Sequence, residues 1–297
     1  MRFTAWLVLL ATLSLWSGNW IVARAVRDEV APGMATVGRL VVVLLILLPF
    51  VFSSLKSKIK NLSARDWKIL AAMGFAGGGI HLALQWLGLH YTTATSGVLY
   101  LSTAPIFVLL MAPLLLKERI AARQWLGVAV SFCGIATIAA QGDPARLASL
   151  SFNRGDLMAL ASMVMWASYT VLLRLRRDPL DVAGLIVVVC AFGLVFMAPW
   201  LALERAALPY NAPAIVAILY SAIASLLLAY AGWSYVVSRL GAARAGATMH
   251  LMPAIGVGLA AAFLGEYPRW FHFAGIALIL AGVALSTLKA SSASSSR

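Results

Sequence analysis

An all-α, polytopic membrane protein of ten transmembrane helices in two inverted five-helix repeats is the fold class this sequence predicts. Three observations predict it. The 297 residues are 62% hydrophobic and 11% charged, with a mean hydropathy of +0.92. A soluble domain carries roughly 25% charged residues, so this chain needs lipid as solvent. Ten apolar runs are long enough to span a bilayer, which takes roughly 20 residues each. Finally, one spacing of Pro, Glu, Gly and Gly occurs twice, and the helix count between the copies is odd.

The runs, in chain order, are 4–24, 33–53, 67–89, 95–116, 123–141, 154–174, 182–203, 213–238, 243–264 and 270–288. The joining loops are short, the longest being 54–66 and 142–153. The sequence therefore divides into a first repeat (1–141), an external linker (142–153), a second repeat (154–289) and a polar, disordered tail (290–297). The first run is long and holds Trp16, Asn19 and Trp20 without a small-x-small cleavage site, so it reads as a spanning helix and not as a cleaved signal.

Loop charges set the orientation. With the N-terminus inside, sixteen of the 23 Lys and Arg fall on the cytoplasmic side, six fall outside, and Arg39 lies within a helix. This bias predicts that both termini face the cytoplasm. It also accounts for the net charge of +13, and with no separate basic domain to hold a duplex, nucleic acid is not an expected partner. Cys133 and Cys190 lie in apolar runs without metal-ligand or disulfide spacing. The expected cofactor and metal content is none.

The repeat reads Pro105, Glu118, Gly127, Gly134 and then Pro253, Glu266, Gly275, Gly282. The spacings are thirteen, nine and seven in both copies, and Leu116 matches Leu264. Trp16 over Trp166 also brings Arg24 over Arg174, Arg27 over Arg177 and Asp28 over Asp178. Each half thus holds five helices, and an odd number forces the second half to enter from the opposite side. Inverted halves suit a transporter, because they can exchange conformations and expose one central site to each side in turn.

Candidate site residues are the polar and aromatic groups inside the spans. Trp16 and Trp20 share a face of the first helix. His81 and Gln85 share one on the third. Tyr100 and Ser102 lie on the fourth, Trp166 and Tyr169 on the sixth, Trp233 on the eighth and His250 on the ninth. Together they would form an apolar, aromatic-lined pocket with a few hydrogen-bonding groups, or else they serve helix packing. Pro105 and Pro253 are expected near the middle of helices four and nine as kinks or hinges. Glu118 and Glu266 are expected at the following turns as caps or gate residues. No acidic residue is placed near the bilayer centre, which favours facilitated transport, while His81 and His250 keep proton coupling open. Arg39 has three readings: snorkelling to the interface, pairing with backbone carbonyls, or receiving a substrate carboxylate, the first two being preferred. The paired glycines are expected to let helices approach closely.

These features resemble the EamA-type transporters of the drug/metabolite transporter superfamily, over about 4–288. The residues that carry the resemblance are Arg39, the Ala104-Pro105…Glu118…Gly127…Gly134 run and its second copy. His81, Tyr100 and Trp166 make the chain similar to the YddG-like exporters of aromatic amino acids and methyl viologen. The resemblance implies a ten-helix basket with the substrate cavity between the halves, in a bacterial inner membrane. It departs at Gly265, where the first copy has Lys117, and in helix seven, where Arg39 finds no counterpart. The expected function is export of amino acids, including aromatic ones, and of small, flat xenobiotics such as cations. The partners implied are a small-molecule substrate and the lipid bilayer. A transporter of another metabolite, an intramembrane enzyme and a purely structural membrane protein are the competing readings. An enzyme would need a nucleophile–base pair or metal ligands that the spacing does not supply.

Overall fold

The computed structural model describes residues 2–91, 100, 103–117, 119–148, 154–204, 211–264 and 268–287. Among these, every regular element is helical. Helix α1 (Arg2–Ala25) is followed by α2 (Pro32–Ile59), whose Pro32 occupies the first helical position, where a missing N–H costs nothing. At 28 residues, α2 is about 42 Å long. It outruns a hydrocarbon core of roughly 30 Å and carries Lys56 and Lys58 in its last turn, where a cation complements the helix dipole.

Ser63 and Asp66 form a reciprocal cap that starts α3 (Ala64–Met73), with Asp66 N to Ser63 Oγ 3.2 Å and Ser63 N to Asp66 Oδ2 3.0 Å. A π-helical stretch, Gly74–Ile80, carries α3 into α4 (His81–Tyr91). Then come α5 (Ala104–Leu116), α6 (Ala122–Ala139), the short α7 (Pro144–Ala148), α8 (Arg154–Leu175) and α9 (Val182–Glu204). Lys117 ends α5 in the left-handed conformation (φ 54°). Asn211 caps α10 (Ala212–Tyr220) through Ala214 N at 2.8 Å. A second π-helical stretch, Ser221–Leu228, carries α10 into α11 (Ala229–Leu240). Gly241 (φ 83°) breaks the chain before α12 (Ala242–Thr248), α13 (Leu251–Leu264) and α14 (Trp270–Thr287).

Six of these stretches are long and apolar enough to cross a membrane: Phe3–Ala23, Pro32–Ile59, Ala64–Gly88, Arg154–Leu175, Val182–Glu204 and Ala212–Leu240. Shorter apolar helices stand beside them. Phe50, Leu114, Leu203, Trp270 and Phe273 point outward, a surface only lipid would cover. The chain is a multi-pass membrane protein.

The two π stretches begin 147 residues apart and end 148 apart, the interval that separates Pro105 from Pro253. The prolines themselves stand differently from expectation. Pro105 is in the first turn of α5, and Pro253 is the third residue of α13, after a turn at Met249–His250. Neither sits mid-helix. A first-turn proline removes an N–H that has no intrahelical partner anyway, so the break lies upstream of the ring.

Helices α6 and α14 cross in antiparallel contact through glycine. A Cβ on Gly127 would stand 2.5 Å from the Gly282 carbonyl oxygen, and one on Gly134 2.5 Å from that of Gly275. Helices α2 and α9 are also antiparallel and are tied at both ends. Glu204 accepts from Gly33 N (2.9 Å) and Met34 N (3.0 Å), capping α2 from 170 residues away, and Lys58 pairs with Asp181 at 2.5 Å. Asp181 also accepts from Gly184 N at the start of α9 (2.8 Å). Lys58 foremost, then that amide, hold its carboxyl below the usual range.

Candidate functional site

Three tryptophans and two tyrosines of the interior meet where α1, α8 and α11 pack together. Trp16 and Trp166 meet edge to face, centroids 4.9 Å apart at 85°. Trp233 lies 5.4 Å from Trp16 and 5.7 Å from Trp166, and Tyr230 lies 5.4 Å from Trp166. Tyr169 packs on Tyr230 at 5.2 Å. Such pairs add about 0.5–1.5 kcal/mol each beyond burial. Trp16 and Trp166 are the residues that the repeat offset aligns, so the aromatic centre joins matching points of the two halves.

Four of the five polar edges of this cluster make hydrogen bonds, the buried Tyr169 hydroxyl being the fifth. Trp16 Nε1 donates to the carbonyl of Ser225 (3.0 Å), and Tyr230 Oη to the carbonyl of Gly77 (2.7 Å). Trp233 Nε1 donates to Thr170 Oγ1 (3.1 Å) and Trp166 Nε1 to Met249 Sδ (3.0 Å). Ser225 and Gly77 both lie within the π stretches, 148 residues apart. In each case the donor comes from the opposite half.

Beside the cluster lies a cavity of about 30 Å³, room for about two waters. Trp16, Asn19 and Trp20 line it from α1; His81, Leu82 and Gln85 from α4; Met163 and Trp166 from α8. Ser225 and Tyr230 complete it with Met249 and Met252. His81 packs on Trp166 at 5.2 Å with the rings tilted by 38°, and its Nδ1 lies 2.9 Å from the carbonyl oxygen and 2.8 Å from Oγ of Ser162. A carbonyl can only accept, so the contact assigns a proton to Nδ1, and in the neutral tautomer of that kind Nε2 is the acceptor. Ser162 Oγ also bonds back to the His81 backbone carbonyl (3.0 Å).

Of the expected site residues, Trp16, Trp20, His81, Gln85 and Trp166 line this cavity. Tyr169 and Trp233 are fully buried in the aromatic layer beneath it. His250 is buried next to the lining residue Met249 and is not itself among those lining it. Tyr100 is half-buried and not among the lining residues, and its carbonyl accepts from Thr103 Oγ1 at 2.7 Å. Ser102, Glu118 and Glu266 lie outside the described residues. Sequence reasoning passed over Met163, Met249 and Met252, because methionine in an apolar run reads as packing. Here three flexible thioethers form an adaptable wall. It also passed over Asp156, fully buried in the first turn of α8. Among the described residues, no group of three His, Cys, Asp or Glu could hold a metal ion.

Arg39 does not snorkel. It is fully buried, with Nη2 donating to the carbonyl of Leu82 (3.1 Å) and to Thr36 Oγ1 (3.4 Å), and its guanidinium 5.7 Å from the Trp86 ring centroid.

Comparison with known proteins gives one family. The EamA-like transporter family matches residues 2–140 and 153–288, nearly all of the chain and both of its halves. An uncharacterised transporter of Archaeoglobus fulgidus is 28% identical over 285 residues, covering 95% of this chain and 97% of that one. A protein of Streptantibioticus cattleyicolor named "Probable terminal-alkyne amino-acid exporter" is 30% identical over 232 residues, 76% of this chain and 75% of its own. A solved crystal structure superposes with a TM-score of 0.74 over 97% of both chains at 19% identity, which establishes a shared fold.

Proposed function

This chain belongs to the EamA-like transporter family, and on that premise we propose that it exports amino acids, aromatic ones included, and small xenobiotics across a bacterial inner membrane. It is a transporter and not an enzyme. The observation that carries the substrate class is the cavity between the halves, walled by Trp16, Trp20, His81, Trp166 and Tyr230 with three methionines. Flat apolar groups stack on indole faces, and His81 Nε2, Gln85 and Asn19 supply hydrogen bonds at its edge. The S. cattleyicolor relative named "Probable terminal-alkyne amino-acid exporter" supports amino acids as the class.

In this reading, ten helices form two inverted repeats, 1–141 and 154–289, with 142–153 as an external linker, 290–297 as a polar tail and both termini in the cytoplasm. The antiparallel α2–α9 and α6–α14 pairs, the matched π stretches and the match of the family to each half all support inversion. A cavity of about 30 Å³ is far below the roughly 300 Å³ at which ligand pockets begin, so substrate enters only after the halves separate at one end. The breaks upstream of Pro105 and Pro253 serve as hinges, and Glu118 and Glu266 close opposite ends. Alternating access follows from exchanging the conformations of the halves.

The test is reconstitution into proteoliposomes and uptake of a panel of labelled amino acids, with and without a pH gradient. Wild-type flux of aromatic amino acids is expected to fall at least tenfold in Trp166→Ala and His81→Ala. Unchanged flux in both variants, folded normally, removes the cavity as the site. Flux that ignores the gradient marks uniport; flux that follows it marks proton coupling.

A further inference from the structure

We propose that Arg39 is the specificity-determining residue of this cavity, selecting substrates that bear a carboxylate and rejecting amines and permanent cations. The inference rests on the transport reading given above and narrows it.

Arg39 and Asp156 are the charged residues fully buried among those described. Arg39 has no carboxylate bonded to it: Nη2 meets only a carbonyl and a hydroxyl, and Nε and Nη1 have no hydrogen-bond partner among the described residues. A buried, unpaired guanidinium costs several kcal/mol, so an anion that reaches it is strongly favoured. The position suits such a visitor. The residue whose carbonyl Arg39 holds, Leu82, is part of the cavity wall, flanked by His81 and followed one turn later by Gln85. Asp156 is remote from the aromatic centre, ten residues and about 15 Å up α8 from Trp166. Glu204 is committed to the amides of α2. None of the cavity-lining residues is acidic.

The charge bordering the cavity is therefore positive, in surroundings where Coulomb forces are poorly screened. A cationic ligand meets repulsion with no counter-ion among the described lining residues. A zwitterionic amino acid meets complementary partners instead. Its carboxylate gains charge-assisted bonds from the unused Arg39 donors once Leu82 moves aside. Its ammonium has His81 Nε2 and the amide oxygens of Gln85 and Asn19 as acceptors.

Proteoliposome flux of tryptophan and of tryptamine, which differ by the carboxylate, tests this in the wild type, Arg39→Gln and Arg39→Lys. Wild-type tryptophan flux should exceed tryptamine flux at least tenfold. Arg39→Gln should lower tryptophan flux at least tenfold and leave tryptamine flux equal or higher, and Arg39→Lys should keep part of the preference. Equal wild-type fluxes overturn the proposal while leaving the cavity as a transport site, and this arm stands even if a variant fails to fold. A folded Arg39→Gln protein that keeps its preference for tryptophan also overturns it. Absence of flux for both compounds overturns the transport reading together with this one.

Discussion

Tyr230 and Trp16 show how single hydrogen bonds join the two halves. Each is an aromatic donor reaching a π-helical carbonyl of the other half, Gly77 or Ser225. Tyr230→Phe keeps the ring and removes the bond, so it should cost about 1 kcal/mol. A lowered thermal unfolding midpoint in detergent, set against Tyr235→Phe as the control, measures it. A drop no larger than the control's means that the bond contributes nothing. Trp16 and Trp166 were legible in the sequence because a repeat offset aligns them and both lie too deep for an interfacial belt. Met163, Met249 and Met252 were not, since nothing in their neighbours separates a cavity wall from core packing. Tyr100, expected in the site from its depth, is half-buried and is not among the residues lining the cavity.

At the scale of elements, the α6–α14 contact depends on four missing side chains. Gly127→Ala places a Cβ against the Gly282 carbonyl and Ser286, backbone that has no room to yield. Overpacking of this kind costs about 1–3 kcal/mol. Gly256→Ala is the internal control, because nothing lies within 4 Å of its added Cβ; it should be neutral or slightly stabilising. Equal melting temperatures for the two variants would mean that the helices sit farther apart than described. These glycines were readable from their seven-residue spacing. The π stretches were not. One extra residue per turn leaves no compositional mark: Gly74–Ile80 is glycine-rich, whereas Ser221–Leu228 is aliphatic. The helix breaks were half legible. Proline announced a disturbance, but the same ring fits a first turn better than a mid-helix position, and the sequence does not say which turn is first.

For the whole molecule, the ties between α2 and α9 matter most, and no local pattern announces contacts 123 to 171 residues apart. Glu204→Gln should weaken the α2 cap by about 1 kcal/mol, read as a lower unfolding midpoint at neutral pH; an unchanged midpoint argues against the clasp. Asp181→Asn keeps the cap on α9 and deletes the ion pair with Lys58. Both partners are partly exposed, so the loss should be only about 0.5 kcal/mol. The carboxyl is depressed in the folded state, so its contribution is present above the unfolded value near 3.8 and disappears as pH falls through the lower folded one. The gap between wild type and variant should be constant from pH 5 to 8 and close at lower pH; a gap that widens with acid contradicts the assignment. The Glu204 clasp also bears on how the chain is made. The amides of Gly33 and Met34 have their carboxylate on a residue synthesised much later, so the leading half enters the bilayer with one helix end open to water and headgroups. That half cannot reach its final form alone. Expressed without the trailing half it should remain accessible to proteases near residue 33, and adding the missing half as a separate polypeptide should restore protection.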